Sequence, residues 1–184
     1  SILQHLPASG IRGELTYAND VAYSADGRRF AVYGEGSTMH SDVVDTALLV
    51  WDADAPDRPP LNVGWIPSLA IALSPDGSLL YVLTQVPALV MIEVASSRVV
   101  ASVKLAPGIV PLPVAEGSTG SPMDLSDTLD LSPDGRTLAV AEGNDVVVFD
   151  AATLAERYRL RGPAGPCKDG AFLAGRWAAG GRLE

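Results

Sequence analysis

Short apolar runs broken by turn residues set the pattern of this chain. Three of them, Val21-Ala22-Tyr23, Leu69-Ala70-Ile71-Ala72-Leu73 and Leu129-Asp130-Leu131, each lead into a Ser-x-Asp-Gly tetrapeptide: Ser24-Ala25-Asp26-Gly27, Ser74-Pro75-Asp76-Gly77 and Ser132-Pro133-Asp134-Gly135. After each tetrapeptide comes another apolar run, Arg29 to Tyr33, Leu79 to Leu83 and Thr137 to Ala141. Runs of this length around an Asp-Gly pair predict β-hairpins, because Gly accepts a positive φ and Asp can bond its own backbone.

A third run follows each hairpin and ends in an acid: Leu48 to Asp52, Leu89 to Glu93 and Val146 to Asp150. A fourth, more alternating run closes the unit, as in Arg98 to Leu105 and Glu156 to Leu160; alternation fits an edge strand with one wet face. The unit is therefore four antiparallel strands, a to d, repeated at the roughly 40 to 50 residues that mark β-propellers. Trp51-Asp52 at the end of strand c, with Phe149-Asp150 and Ile92-Glu93 as variants, resembles the WD-repeat family. The Ser-Pro-Asp-Gly hairpin followed by Leu80-Tyr81-Val82 is similar to the YVTN-type propellers, and both subfamilies stay open. No Gly-His dipeptide precedes any strand a, a departure from the fuller WD repeats and their Asp-His-Ser/Thr-Trp hydrogen-bond network. The resemblance implies an all-β chain, a β-propeller segment of four-stranded antiparallel blades with no helix longer than about two turns.

Spacing divides the chain further. From hairpin Asp to the acid closing strand c the counts are 26, 17 and 16 residues, so about nine extra residues enter between strands b and c of the first unit, within Gly34 to Thr46. From that acid to the next hairpin Asp the counts are 24 and 41, so about seventeen more enter within Ala106 to Thr128. The expected organisation is a single propeller segment over 1–184, with blades at 18–64, 65–106 and 129–161 and an inserted loop at 107–128. Residues 1–6 are expected as the last strand of a preceding blade, and 169–184 as the start of a further one, where Ala171-Phe172-Leu173 and Arg176 to Ala179 flank Ala174-Gly175. Since a closed propeller takes at least four blades, the remaining blades are expected from the rest of a parent chain, another chain or a symmetry mate. Tyr23, Val32, Leu49, Trp51, Leu73, Val82, Val90, Ile92, Leu131, Val140, Val148 and Phe149 are expected to be buried between blades.

Composition narrows the partners. Hydrophobic residues at 47% and charged residues at 19% suffice for a core, and 18 Gly with 14 Pro fit many turns. Thirteen basic against 22 acidic side chains give a net charge of −9, which repels phosphate backbones and anionic membrane surfaces, so no nucleic-acid partner is expected. No apolar stretch approaches the roughly 20 residues of a membrane helix, so no membrane insertion is expected. A single cysteine, Cys167, allows no internal disulfide, and a cytoplasmic rather than secreted location is expected.

Because successive strands alternate direction, the b–c and d–a connections share one end of the blades and the a–b and c–d connections the other. Both insertions therefore share a face, and loops on a rigid scaffold are where recognition is usually built. The candidate partner-binding residues are Met39, His40, Asp42 and Asp45 in the first insertion, Met123, Asp124 and Asp127 in the second, and Trp65 in a short d–a connection on the same face. The aspartates lack calcium-loop spacing and read as solvated loops. His40 beside Ser41 and Asp42 has no nucleophile elbow, and adjacency in sequence is not a triad. No catalytic residue, cofactor or metal is expected, and Asp26, Asp76 and Asp134 read as turn formers on the opposite face. The function expected is a non-catalytic protein- or peptide-interaction or sensor module. The alternative is part of a propeller enzyme of the lactonase or dehydrogenase type, whose acid/base groups or ligands would converge on the central channel.

Overall fold

The computed structural model describes residues 14–37, 44–55, 57–64, 66, 68–106, 128–142, 145–161, 177–178 and 182–183. Among them every regular element of two residues or more is an antiparallel strand. The first sheet takes β1 (Glu14–Tyr23), β2 (Arg29–Ser37), β3 (Val44–Asp52) and β4 (Leu61–Gly64) in chain order. The second takes β5 (Ser68–Leu73), β6 (Leu79–Thr84), β7 (Ala88–Glu93) and β8 (Arg98–Lys104); the third takes β9 (Leu129–Leu131), β10 (Thr137–Glu142), β11 (Asp145–Asp150) and β12 (Glu156–Arg161). A short pair, β13 (Trp177–Ala178) and β14 (Arg182–Leu183), follows. Ala171 to Leu173 and residues 1–6 lie outside the described residues.

Strand alternation sorts the apolar side chains onto two faces of each sheet. In the second sheet Leu73, Leu80, Val82 and Ile92 face the first, against Tyr33, Leu48, Val50 and Val63. Tyr81, Leu83 and Met91 point the other way, against Leu138, Val140 and Phe149 of the third. The Tyr81 hydroxyl crosses that interface and donates to the Ala151 carbonyl at 3.1 Å, so burial is satisfied at the polar tip. On the remaining face of the first sheet Phe30 and Trp51 stack at 5.4 Å, both buried. Of the residues expected between blades, Leu73, Val82, Val90, Ile92, Val140 and Phe149 are buried between sheets; Val32, Leu49 and Trp51 are buried on the remaining face of the first sheet and Val148 within the third, whereas Tyr23 is 65% exposed and Leu131 half-buried. Tyr23 ends β1 on the face turned away from the second sheet, where its ring meets Phe30 at 5.8 Å; its repeat counterpart Leu73 is covered by the first sheet.

The first sheet is longer than the repeat alone implies. Ladder pairing continues from Gly34↔Ala47 to Ser37↔Val44, and β1 runs beside it to Glu14↔Ser37. Much of the first insertion is thus a lengthened hairpin, which pairs backbone groups that a loop would leave to water.

The Ser-x-Asp-Gly turns explain themselves at atomic level. In each, the Ser hydroxyl donates to the Asp carboxylate (2.7, 2.7 and 2.6 Å) and accepts the N–H of the residue five places on. Gly27, Gly77 and Gly135 have φ of +70°, +69° and +69°, the region where a Cβ is strained. The turns also touch one another: Ala25 N–H donates to the Pro75 carbonyl at 2.9 Å, and the Arg29 guanidinium to the Gly77 carbonyl at 3.0 Å. The Ser74 hydroxyl, followed by the Ser78 N–H, holds the Asp76 carboxyl below its ordinary 3.8; Ser24 and Ser132 do the same for Asp26 and Asp134.

A carboxyl held down in the folded state contributes stability that is full above its unfolded value near pH 4 and lost as pH falls through the folded one. Ser74→Ala should therefore lose less stability than the wild type between about pH 7 and about pH 3, because its Asp76 returns toward the ordinary value. Its orphaned Leu79 N–H costs the same at both pH values and cancels. Urea midpoints at the two pH values measure this, and equal losses would remove the serine as the cause.

Candidate functional site

The two ends of the blades differ in construction. At one end the turns after β3, β7 and β11 close onto the Ser-x-Asp-Gly hairpins: Ala53, Val94 and Ala151 donate N–H groups to Arg28, Ser78 and Arg136 at 2.7, 2.9 and 3.0 Å. The acids ending the third strand of each sheet belong to this end. Asp52 accepts the Asp54 N–H at 3.0 Å, Glu93 accepts the Ser96 hydroxyl, and Asp150 accepts Arg157, the Thr153 hydroxyl and two backbone N–H groups. Arg157 first, then Thr153, lower the Asp150 carboxyl to about 2. These acids build turns. Among the described residues the buried Trp51 indole N–H has no hydrogen-bond acceptor.

At the other end lie the stems of both insertions, Ser37 with Val44 and Lys104 to Ala106 with Thr128. The short turn between β6 and β7 presents Val86, 81% exposed, and is closed by the Thr84 hydroxyl, which donates to the Val86 and Ala88 carbonyls. Leu105 donates its N–H to Pro87 of that turn at 3.0 Å, and Ala106 donates to Glu142 Oε1 at 2.5 Å. Glu142 also pairs with Arg159, which reaches Asp145 at 3.6 Å and Glu156 at 3.4 Å. Among the sequence candidates, Asp45 sits in β3 opposite Gly36. Met39, His40, Asp42, Trp65, Met123, Asp124 and Asp127 lie outside the described residues.

A groove of about 490 Å³ runs along the innermost strands β1, β5 and β9, lined among others by Asp20, Tyr23, Ile71, Asp130 and Ser132. Asp20 follows a register shift in β1, which re-aims its side chain; its carboxylate accepts the Val21 N–H and, across the sheets, the Ile71 N–H, both at 2.8 Å. It thereby links the inner edges of the first two sheets. Among the described residues no group of three or more His, Cys, Asp or Glu is placed to hold a metal ion. Sequence reasoning singled out neither Asp20 nor Glu142. For Glu142 one signal existed: it stands eight residues after the hairpin Asp, where the other units carry Gly34 and Thr84.

No family model and no curated protein matches the sequence. Among solved structures the chain is similar to hydrazine synthase of Kuenenia stuttgartiensis, with a TM-score of 0.53 and 17% identity over 86% of this chain. It is also similar to the WD40 repeats of RRP9, with a TM-score of 0.52 and 13% identity over 84% of this chain. The chain spans 41% of the length of each. At such identities the likeness speaks for architecture alone. With the four-strand repeat and three four-stranded antiparallel sheets, it makes this chain a β-propeller segment of four-stranded antiparallel blades.

Proposed function

We propose that the chain is a non-catalytic recognition module that holds a protein or peptide partner on the end of the propeller bearing the two long connections. One observation carries this reading: both stems rise at the same end of sheets whose opposite end is filled by turn-to-turn contacts. Long connections on rigid blades are the arrangement in which loops carry binding. Val86 adds an exposed apolar side chain beside the second stem. The propeller-enzyme alternative would use the central groove. There Asp20 already spends its carboxylate on backbone N–H groups of β1 and β5, which favours a structural part for it.

The test begins with a photo-crosslinking amino acid placed at Val86 or, on the opposite end, at Ser96 of the intact protein in its native cell. The protein trapped from position 86 is then titrated against variants lacking residues 38–43 or 110–125, each checked by circular dichroism. At least one deletion should weaken binding about tenfold or more, as loss of central contacts does. Trapping from position 96 alone, or unchanged affinity in both deletions, would place the site elsewhere.

A further inference from the structure

We propose that Glu142 is a positioning residue that fixes where the long connection between β8 and β9 leaves the scaffold. Its side chain is 6% exposed although it ends a strand, and a buried carboxylate is tolerated only when its oxygens are partnered. One oxygen is held by Arg159 and the other by the N–H of Ala106, which belongs to the start of the connection and not to the third sheet. The partnership is mutual: the connection completes the carboxylate's hydrogen bonding, and the carboxylate fixes the backbone at Ala106. Leu105, bonded to Pro87, holds the preceding residue to the second sheet. The connection thus starts from two anchors on two different blades.

The repeat supplies its own control. At the equivalent position of the second sheet Thr84 turns its hydroxyl into its own hairpin turn, and in the first Gly34 continues the ladder opposite Ala47. Of the three, only Glu142 reaches back to the preceding blade. It does so in the blade entered through the long connection; β4 and β5 are joined far more directly, from Gly64 to Ser68.

Amide hydrogen exchange on the intact protein tests the assignment. In Glu142→Ala the Ala106 amide should exchange about tenfold faster or more, since it loses a charge-assisted acceptor, while Val82 and Val140, central in their sheets, keep their rates. Should that variant not fold, Glu142→Gln keeps the shape and an acceptor and should give a smaller selective acceleration at Ala106. Unchanged exchange at Ala106 would overturn the proposal, and so would acceleration spread equally over Val82 and Val140, the mark of a general stability loss. This experiment contains no partner, so the assignment of Glu142 and the recognition reading can each fail alone.

Discussion

Gly135→Ala is expected to destabilise the protein by about 2–5 kcal/mol, from about 1–2 for an L-residue at positive φ and about 1–3 for overpacking. A Cβ there would lie 2.4 Å from Cγ and 2.6 Å from Cδ of Pro75, a ring that cannot swing aside. Gly27 offers the control, since its φ of +70° is nearly the same but, among the described residues, nothing lies within 4 Å of its Cβ position. Gly27→Ala should accordingly cost only the conformational share, about 1–2 kcal/mol. Gly77 falls between, because its Cβ would meet the Arg29 side chain at 2.7 Å, a chain able to move. Equilibrium urea unfolding of the three variants gives the ranking. Pairing Gly135→Ala with Pro75→Ala should recover most of the packing share; equal costs at Gly27 and Gly135 would mean the turns do not press on each other.

The second large effect is expected at Ile92→Ala, about 2–5 kcal/mol. Ile92 is 1% exposed, pairs with Leu80 in the ladder and packs against the first sheet, so truncation leaves a cavity between two blades that rigid neighbours cannot close. Val86→Ala, at an 81% exposed position, should stay within about 0.5 kcal/mol. Thermal or urea midpoints decide, and an unchanged midpoint for Ile92→Ala would count against a blade interface at this residue.

The strands of the second and third sheets were legible almost residue by residue, because their apolar runs are bounded by turns whose chemistry is local. Ser74 bonds Asp76 two residues away, and Gly77 takes the positive φ. The first sheet was read short: only Val21 to Tyr23 showed as apolar in β1, although the strand starts at Glu14. Its outer half mixes Leu15, Tyr17 and Ala18 with polar residues and shows no turn-bounded apolar run, and ladder pairing extends the strand there. Tyr23 was misjudged because position in a repeat gives the direction a side chain faces, not whether a neighbour stands there. At the candidate site, strand alternation alone put both insertions at one end. Asp20 and Glu142 escaped because their partners, Ile71 and Ala106, lie 51 and 36 residues away, beyond any local spacing rule.

The contact between neighbouring hairpin turns carries a consequence for how such a chain can change length over evolution. An extra residue in the turn at Gly135 would be driven into Pro75, and one at Gly77 into Arg29; the same insertion would strain the adjoining turn, whose backbone is bonded to its neighbour. Lengthening there therefore disturbs two blades at once, while lengthening between β2 and β3 begins as added ladder pairs within one sheet. Both departures from the repeat length lie at the end of the blades away from these hairpins.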